Sequence, residues 1–393
     1  MSLNMSREAT KEYVELKAKR YRLLRGKKAK GQILNEVVET TGYDRKHAIR
    51  LLGSYASCKN KPKRRPGRPR KLTPEDIFLI KEIWEASAQP CGKRLKVVLE
   101  VWLPFWVKDQ GPLPEEQLQR ILKTGAATLD RVLAPIKTKR KKPRGPTKGL
   151  RAIQAEIPIR QGSWSAEVCG WIEGDTVAHC GSSMRGSFVW TLTLTDIMSQ
   201  WTELGATWNK GQESVIRSLE LILKRFPFPL KGIDTDNGSE FLNAHLQRYW
   251  KNHPDRPVIT RSRPYRKNDN AHVEQKNRTL VRELIGYDRL DNPQCVELLE
   301  EVYEVWCLQN NHFIPRMKLH KKYRSASRIV KEYTAPKTPY QRVMESSLKA
   351  EAKRKLQSIH QSLNPLRLQR EYEEKLKKLY NWIANENRVQ NDL

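Results

Sequence analysis

The chain has 393 residues, room for two to four domains with cores of their own, and carries 74 Lys and Arg against 44 Asp and Glu, a formal net charge of +30. An excess of that size calls for a polyanionic partner and excludes an acidic, self-solvating chain. The polar start Met-Ser-Leu-Asn-Met-Ser-Arg-Glu predicts no signal peptide, and the most apolar window, Val97–Val107, is too short and contains Glu100, so no membrane span is expected.

The charge is unevenly spread. Residues 1–150 hold 36 Lys and Arg against 15 Asp and Glu, residues 151–300 hold 19 of each, and the last 93 hold 19 against 10. A neutral block between basic ones suits a core carried by nucleic-acid-binding flanks, with a generally adhesive basic protein as the competing reading. The six cysteines form no CxxC pair and no zinc-finger spacing with histidine, which predicts reduced, mostly buried thiols in a cytosolic setting.

Residues 1–58 read as a helical DNA-binding domain. A charged helix runs to Leu24, a basic turn covers Lys27–Lys30, and two further helices carry apolar residues at 33, 34, 37, 38 and 48, 49, 51, 52 about a turn at Gly42. That is a helix-turn-helix pattern whose second helix offers Arg45, Lys46 and Arg50 to a major groove; a solvated basic hairpin has the same pattern. Residues 59–72 form a basic linker in which Pro66-Gly-Arg-Pro-Arg70 resembles an AT-hook, with Arg68 and Arg70 suited to a narrow minor groove.

Residues 73–136 read as a second helical DNA-binding domain. It starts at the cap Thr73-Pro74-Glu75-Asp76, has helices over 74–87, 93–107, 114–123 and 126–133, and turns Thr128, Asp130 and Arg131 outward on the last. A basic linker, 137–162, follows. From 163 to 325 the pattern is α/β. Alternation over Phe188–Thr195 marks a strand with a hairpin partner at Trp201–Thr207; a helix over Gln212–Phe226 precedes strand Leu230–Thr235, a helix over 239–250, strand Pro257–Arg261 and a long helix Asp269–Ile285. Residues 326–393 read as a basic helical C-terminal region.

Three carboxylates stand in distinctive contexts: Asp175 in Glu173-Gly-Asp175-Thr-Val, Asp236 in Asp234-Thr-Asp236-Asn-Gly-Ser-Glu240-Phe, and Glu274 in Asn270-Ala-His-Val-Glu274-Gln-Lys-Asn277-Arg278. Two on strands and one on a helix, brought together, make an all-oxygen site for hard divalent cations. Strand parity leaves Glu173 and Asp234 open as alternatives, since each shares a face with its neighbouring aspartate.

These blocks resemble the DDE integrase core of retroviral integrases and insertion-sequence transposases, with 60 residues between Asp175 and Asp236 and 37 between Asp236 and Glu274. Asp175-Thr-Val-Ala-His-Cys180, Arg261-Ser-Arg-Pro-Tyr-Arg-Lys-Asn-Asp269 and Pro336-Lys-Thr-Pro-Tyr-Gln-Arg342 resemble the ISNCY-like transposases in particular. The resemblance implies a ribonuclease H-like core and Asp175, Asp236 and Glu274 as catalytic metal ligands. It also implies two Mg²⁺ ions per site with Mn²⁺ as substitute, and Lys267, Asn270 and Arg278 positioning the DNA strand. Asp196 would hold a structural turn.

The expected activity is transposition: binding of a mobile element's ends, 3′-end cleavage and strand transfer. Expected partners are double-stranded DNA, both terminal repeats and target, and further copies of the chain, without membrane or small-molecule cofactor, in a bacterial cytoplasm at the nucleoid. A nuclease that cuts without joining and a non-catalytic DNA-binding regulator are the alternatives. The retroviral zinc domain has no counterpart here.

Overall fold

The structure, a computed structural model, describes residues 5–57, 72–136, 167–235, 244–261, 271–325 and 328–391. It divides into two compact units, Met1–Lys71 and Leu72–Leu393. The proposed linkers at 59–72 and 137–162, with Arg68 and Arg70, lie almost wholly outside the described residues.

The first unit is three helices, α1 (Arg7–Leu23), α2 (Lys27–Thr41) and α3 (Arg45–Ser57). Lys27–Lys30, expected as a turn, form the first turn of α2. The Ser6 hydroxyl accepts from Ala9 N at the start of α1. Gly42 ends α2 in the left-handed region (φ 69°) that a side chain disfavours, and its N–H donates to Val38 O. Val14, Ala18, Ile33, Leu34, Val37, Ala48 and Leu52 close a small core with Val38 and Leu51 packed against it, whereas Ile49, expected on the apolar face, is 44% exposed. Lys46 and Arg50 are exposed, whereas Arg45 also donates to Asn35 Oδ1 at 2.5 Å.

In the second unit α4 (Pro74–Ala86) begins with a complete capping box between Thr73 and Asp76. Asp76 is fully buried and also accepts both Nε and Nη2 of Arg120 from α6 (Glu115–Leu122). Burial pulls its pKa upward, yet Arg120 and Thr73 outweigh this and hold it below the usual value. Between them lies α5 (Gly92–Gln110), and after them α7 (Ala126–Leu133). A Cβ at Gly92 would lie 2.1 Å from Ala126 O, so only glycine lets α5 start against α7. Asp130, expected to face outward, accepts from Gly92 N at 3.0 Å; Arg131 is exposed as expected.

Helices α4 to α7 share a hydrophobic core with the rest of the unit, so 73–136 does not stand apart in the way the sequence suggests. The seam is α12 (Gln294–Phe313). Trp102 on α5 is buried and donates Nε1 to Phe313 O, Arg94 donates to Pro315 O, and Gln309 donates to Ala86 O. The last helix, α15 (Pro365–Asn391), covers α12 through Leu368, Tyr372 and Leu379, and Tyr380 donates to Ile285 O.

One five-stranded sheet organises this unit: β1 (Trp171–Ala178), β2 (Val189–Asp196), β3 (Thr202–Trp208), β4 (Gly232–Thr235) and β5 (Val258–Arg261), in the order β3-β2-β1-β4-β5. β1, β2 and β3 pair antiparallel, whereas β4 is parallel to β1 and β5 parallel to β4. With α8 (Gln212–Leu223) and α9 (Ala244–Asn252) at the crossovers, this is the ribonuclease H-like order the resemblance implied. Ile172, Leu192, Leu194 and Ile233 pack toward α8, which approaches closely because Gly205 has no side chain: a Cβ there would meet Ser218 Oγ at 2.5 Å.

Two findings depart from the sequence reading. The long helix is α10 (Ala271–Lys276), a π-helical segment Asn277–Arg282 and a final turn α11 (Glu283–Ile285). An antiparallel ribbon, β6 (Leu319–Ser325) and β7 (Arg328–Tyr333), straddles the expected boundary at 325/326 where only helix was expected beyond it, before α13 (Pro339–Glu345), α14 (Ala350–Ser362) and α15. No helix among the described residues is long and apolar enough to cross a membrane.

Candidate active site

Parity along β1 sets the site. Successive side chains point to opposite faces, so Glu173, Asp175 and Val177 share the face against α10, while Ile172 turns to the opposite core. The parallel register sets Glu173 beside Asp234 and Gly174 beside Thr235. Asp236 follows Thr235 directly in the chain but lies, with Glu240, Lys267 and Asn270, outside the described residues.

The helix carrying Glu274 is docked on β1 on either side of that residue. Val273 N donates to Glu173 Oε2 at 3.2 Å, and Asn277 Nδ2 donates to Asp175 Oδ2 at 2.6 Å. Glu274 lies in the sequence between these two anchors; its backbone is helical and its side chain is outside the described residues. Lys276 fastens the same helix to the turn between β2 and β3, with Nζ 3.4 Å from Gln200 O and the side chain 1% exposed. Burial, reinforced by Arg316, Arg342 and Arg94, holds its pKa well below the usual lysine value.

The π-helical segment starts at Asn277. Such segments shift the faces of a helix by part of a turn and recur at functional sites. Here it buries Leu280 and Val281, while Arg282 donates to Ala178 O at the end of β1. Arg278 is exposed, with a loose contact to Glu283 at 3.9 Å.

Asp175 Oδ1 accepts from Thr176 N at 2.8 Å. Because a carboxylate can only accept, the Asn277 amide must present its nitrogen to Asp175, which turns Oδ1 away. That oxygen is buried without a hydrogen-bond partner among the described residues. A buried carbonyl oxygen so left costs about 1–3 kcal/mol unless a partner arrives, and a hard cation or its water is such a partner. Among the described residues no group of three or more His, Cys, Asp and Glu forms a metal cluster, Asp236 and the Glu274 side chain being outside them. The donors present are oxygens, which suits a hard cation.

The alternatives left open by parity have other engagements. Asp234 is fully buried and accepts from Thr260 Oγ1 at 2.6 Å; Glu173 is 1% exposed and takes the Val273 N–H. Asp196 has the turn role expected of it, accepting from Gly170 N and from the N–H and hydroxyl of Ser199. Sequence reasoning missed a buried network behind the site, in which His179, Thr191 and Tyr303 are linked at 2.7 and 2.6 Å. Burial, helped by Arg282, lowers the His179 pKa to about 3, so its imidazole stays neutral. Its only sequence signal was its place two residues beyond Val177 on the same face.

Residues 166–265 match the Integrase core domain family. The chain is also similar to the "Uncharacterized protein y4rM" of Sinorhizobium fredii (strain NBRC 101917 / NGR234), 38% identical over 348 residues that cover 87% of this chain and 97% of that protein. Among solved structures it is similar to the catalytic core domain of BIV integrase, at 15% identity and a TM-score of 0.30, over 45% of this chain and 94% of that one.

Proposed function

Because the chain belongs to one family with the uncharacterized protein y4rM and its residues 166–265 match an integrase core domain, we propose that it is a DNA transposase. It binds the ends of its mobile element and catalyses metal-dependent 3′-end cleavage and strand transfer. Asp175, Asp236 and Glu274 are its metal ligands, and Mg²⁺ is the metal, with Mn²⁺ able to replace it.

The observation that carries the reading is the pair of hydrogen bonds flanking Glu274, from Val273 to Glu173 and from Asn277 to Asp175. They fix the helix of the third carboxylate onto the strand of the first. Asp236 is preferred over Asp234 because Asp234 is fully buried and bonded to Thr260.

When bound, the cations held by Asp175, Asp236 and Glu274 would neutralise charge on the phosphate and activate the attacking oxygen. Asp175 is held in one orientation by Asn277, so it needs little rearrangement on loading. The neutral amide does this without adding charge that would compete for the cations. Asn277 Oδ1, buried without a partner among the described residues, would be free to accept a hydrogen bond once the cations are held. Arg278, exposed one residue on, meets the phosphate backbone, as do Lys267 and Asn270 in this reading.

The basic flanks bring the ends to this core. In the first unit Lys46 and Arg50 on α3 contact the DNA, with Arg45 partly committed to Asn35, as in a helix-turn-helix reader. Arg68 and Arg70 enter the minor groove, and Arg131 on α7 adds a phosphate contact. The active form is an oligomer assembled on DNA.

The direct test incubates the full chain with Mg²⁺, a supercoiled target and short duplexes from the repeats flanking its own gene. Joined products support transposition. Nicked ends without joining reduce the protein to a nuclease, and binding without either makes it a regulator.

A further inference from the structure

Among the described residues, no side chain of the β6–β7 ribbon joins a hydrophobic core. Its strands pair from Leu319↔Tyr333 to Ser325↔Arg328, and among its described side chains none is buried. Leu319, Tyr323, Ile329 and Tyr333 are 48, 46, 63 and 51% exposed. A two-stranded hairpin is at best marginally stable in water, so a ribbon with both faces open gains its stability from its root or from a partner.

The root is well built. Arg316 and Lys337 exchange both backbone hydrogen bonds, Thr334 N donates to Lys318 O, and Lys318 Nζ donates to Met198 O in the β2–β3 turn at 2.8 Å. Arg342, 7% exposed on α13, donates to Arg316 O. The ribbon is therefore presented from a rigid base beside the turn to which Lys276 fastens the Glu274 helix.

Its chemistry points to one kind of partner. The two strands carry Lys321, Lys322, Arg324, Arg328 and Lys331 against the single acid Glu332, which accepts from the Tyr323 hydroxyl. Register and alternation place Leu319, Arg324, Ile329, Lys331 and Tyr333 on one face, which has apolar and cationic groups and no acid. A second copy of so basic a ribbon would meet it with like charge. Duplex DNA offers anionic rims about a groove roughly 12 Å wide that admits a two-stranded ribbon, with sugars and base edges for the apolar side chains. Strands of this length reach about 20 Å along it.

We propose that the β6–β7 ribbon is a DNA-binding arm, laid in a groove of the duplex with Leu319, Ile329 and Tyr333 on the groove wall, Arg324 and Lys331 of the same face on phosphates, and Lys321 and Arg328 of the other face reaching the phosphates of the rims. This rests on the reading that the chain acts on duplex DNA. The arm grips without needing a particular sequence, because its polar contacts are cations on the phosphate backbone.

Two measurements on the full chain, both without divalent metal, test the arm. In the first, Lys321, Arg324, Arg328 and Lys331 are all changed to alanine, and affinity for a duplex is followed against salt. The expected result is a loss of at least about 10-fold near physiological salt and a log–log slope shallower by about 3 to 4, near one per cation removed. All four side chains are exposed, so an unchanged circular dichroism spectrum is expected. In the second, Ile329 is replaced by photoreactive benzoylphenylalanine, which should crosslink to DNA. An unchanged salt slope, or a crosslink to protein alone, overturns the arm while leaving the transposase reading intact. A wild-type chain that binds no duplex overturns both.

Discussion

Asn277 donates through Nδ2 to the Asp175 carboxylate at 2.6 Å across 102 residues of sequence, while its own Oδ1 is buried without a partner among the described residues. One side chain thus ties the first candidate ligand strand to the helix of the third, and keeps an acceptor in reserve beside them.

Changing Asn277 tests this arrangement. Asn277→Ala should lower the strand-transfer rate about 10- to 100-fold, the usual effect of losing a residue that orients a metal ligand, and raise the Mg²⁺ concentration needed for half-maximal activity. Asn277→Asp should shift the Mg²⁺ dependence further from wild type, because a second negative charge would face Asp175. Titrating metal against the single-turnover rate checks both, and an Asn277→Ala enzyme with wild-type Mg²⁺ dependence contradicts the role.

The packing of α5 on α12 makes a prediction about cooperativity. Trp102 is fully buried and donates to Phe313 O, so Trp102→Ala should cost about 3–5 kcal/mol and lower the unfolding transition of the whole Leu72–Leu393 unit. Calorimetry showing a separate early transition for α4 to α7, with the remainder unmoved, would mean that those helices fold as an independent domain.

This seam also marks where the sequence stopped being informative. The strands were legible because Phe188–Thr195 alternates, and the docking of the Glu274 helix on the Asp175 strand was legible because both stand in motifs of known spacing. The bond between Trp102 and Phe313 joins residues 211 apart, and no local pattern encodes such a contact. The π-helical segment kept a helical apolar period and so read as ordinary helix. The β6–β7 ribbon left no strand signal because neither face is buried, which removes the alternation that identifies a strand. Asp130 looked like an outward residue of a recognition helix; its partner is the N–H of Gly92, on another helix.

Glu203 predicts a pH dependence of stability. Burial pushes its carboxyl up to about 8 from 4.5, despite Arg225 and hydrogen bonds from Trp201 and Asn311. The folded state therefore favours the protonated form. Its contribution is fully present below pH 4.5, declines as the unfolded chain ionises, and is lost as pH rises through about 8. Glu203→Gln removes this titration, so the difference in melting temperature between variant and wild type should move in the variant's favour from pH 5 to pH 9. A difference independent of pH contradicts it.

In the first unit the exposed cations of α3 should dominate DNA contact. Lys46→Ala and Arg50→Ala should each weaken binding to the element's ends several-fold and lessen the salt slope by about 1. Arg45→Ala should do less, since Arg45 is engaged with Asn35. Anisotropy titrations at several salt concentrations distinguish the three, and equal effects from all would remove the distinction.

The central claim is that Asp175, Asp236 and Glu274 form one metal centre, and the measurement that meets it most directly is strand transfer by isosteric variants in Mg²⁺ and in Mn²⁺. Asp175→Asn, Asp236→Asn and Glu274→Gln should each abolish cleavage and joining with both metals while binding the element's ends as the wild type does. Glu173→Gln, Asp234→Asn and Glu240→Gln should retain measurable activity. An active Asp236→Asn beside an inactive Asp234→Asn, or a Glu274→Gln chain that still joins strands, would contradict the account.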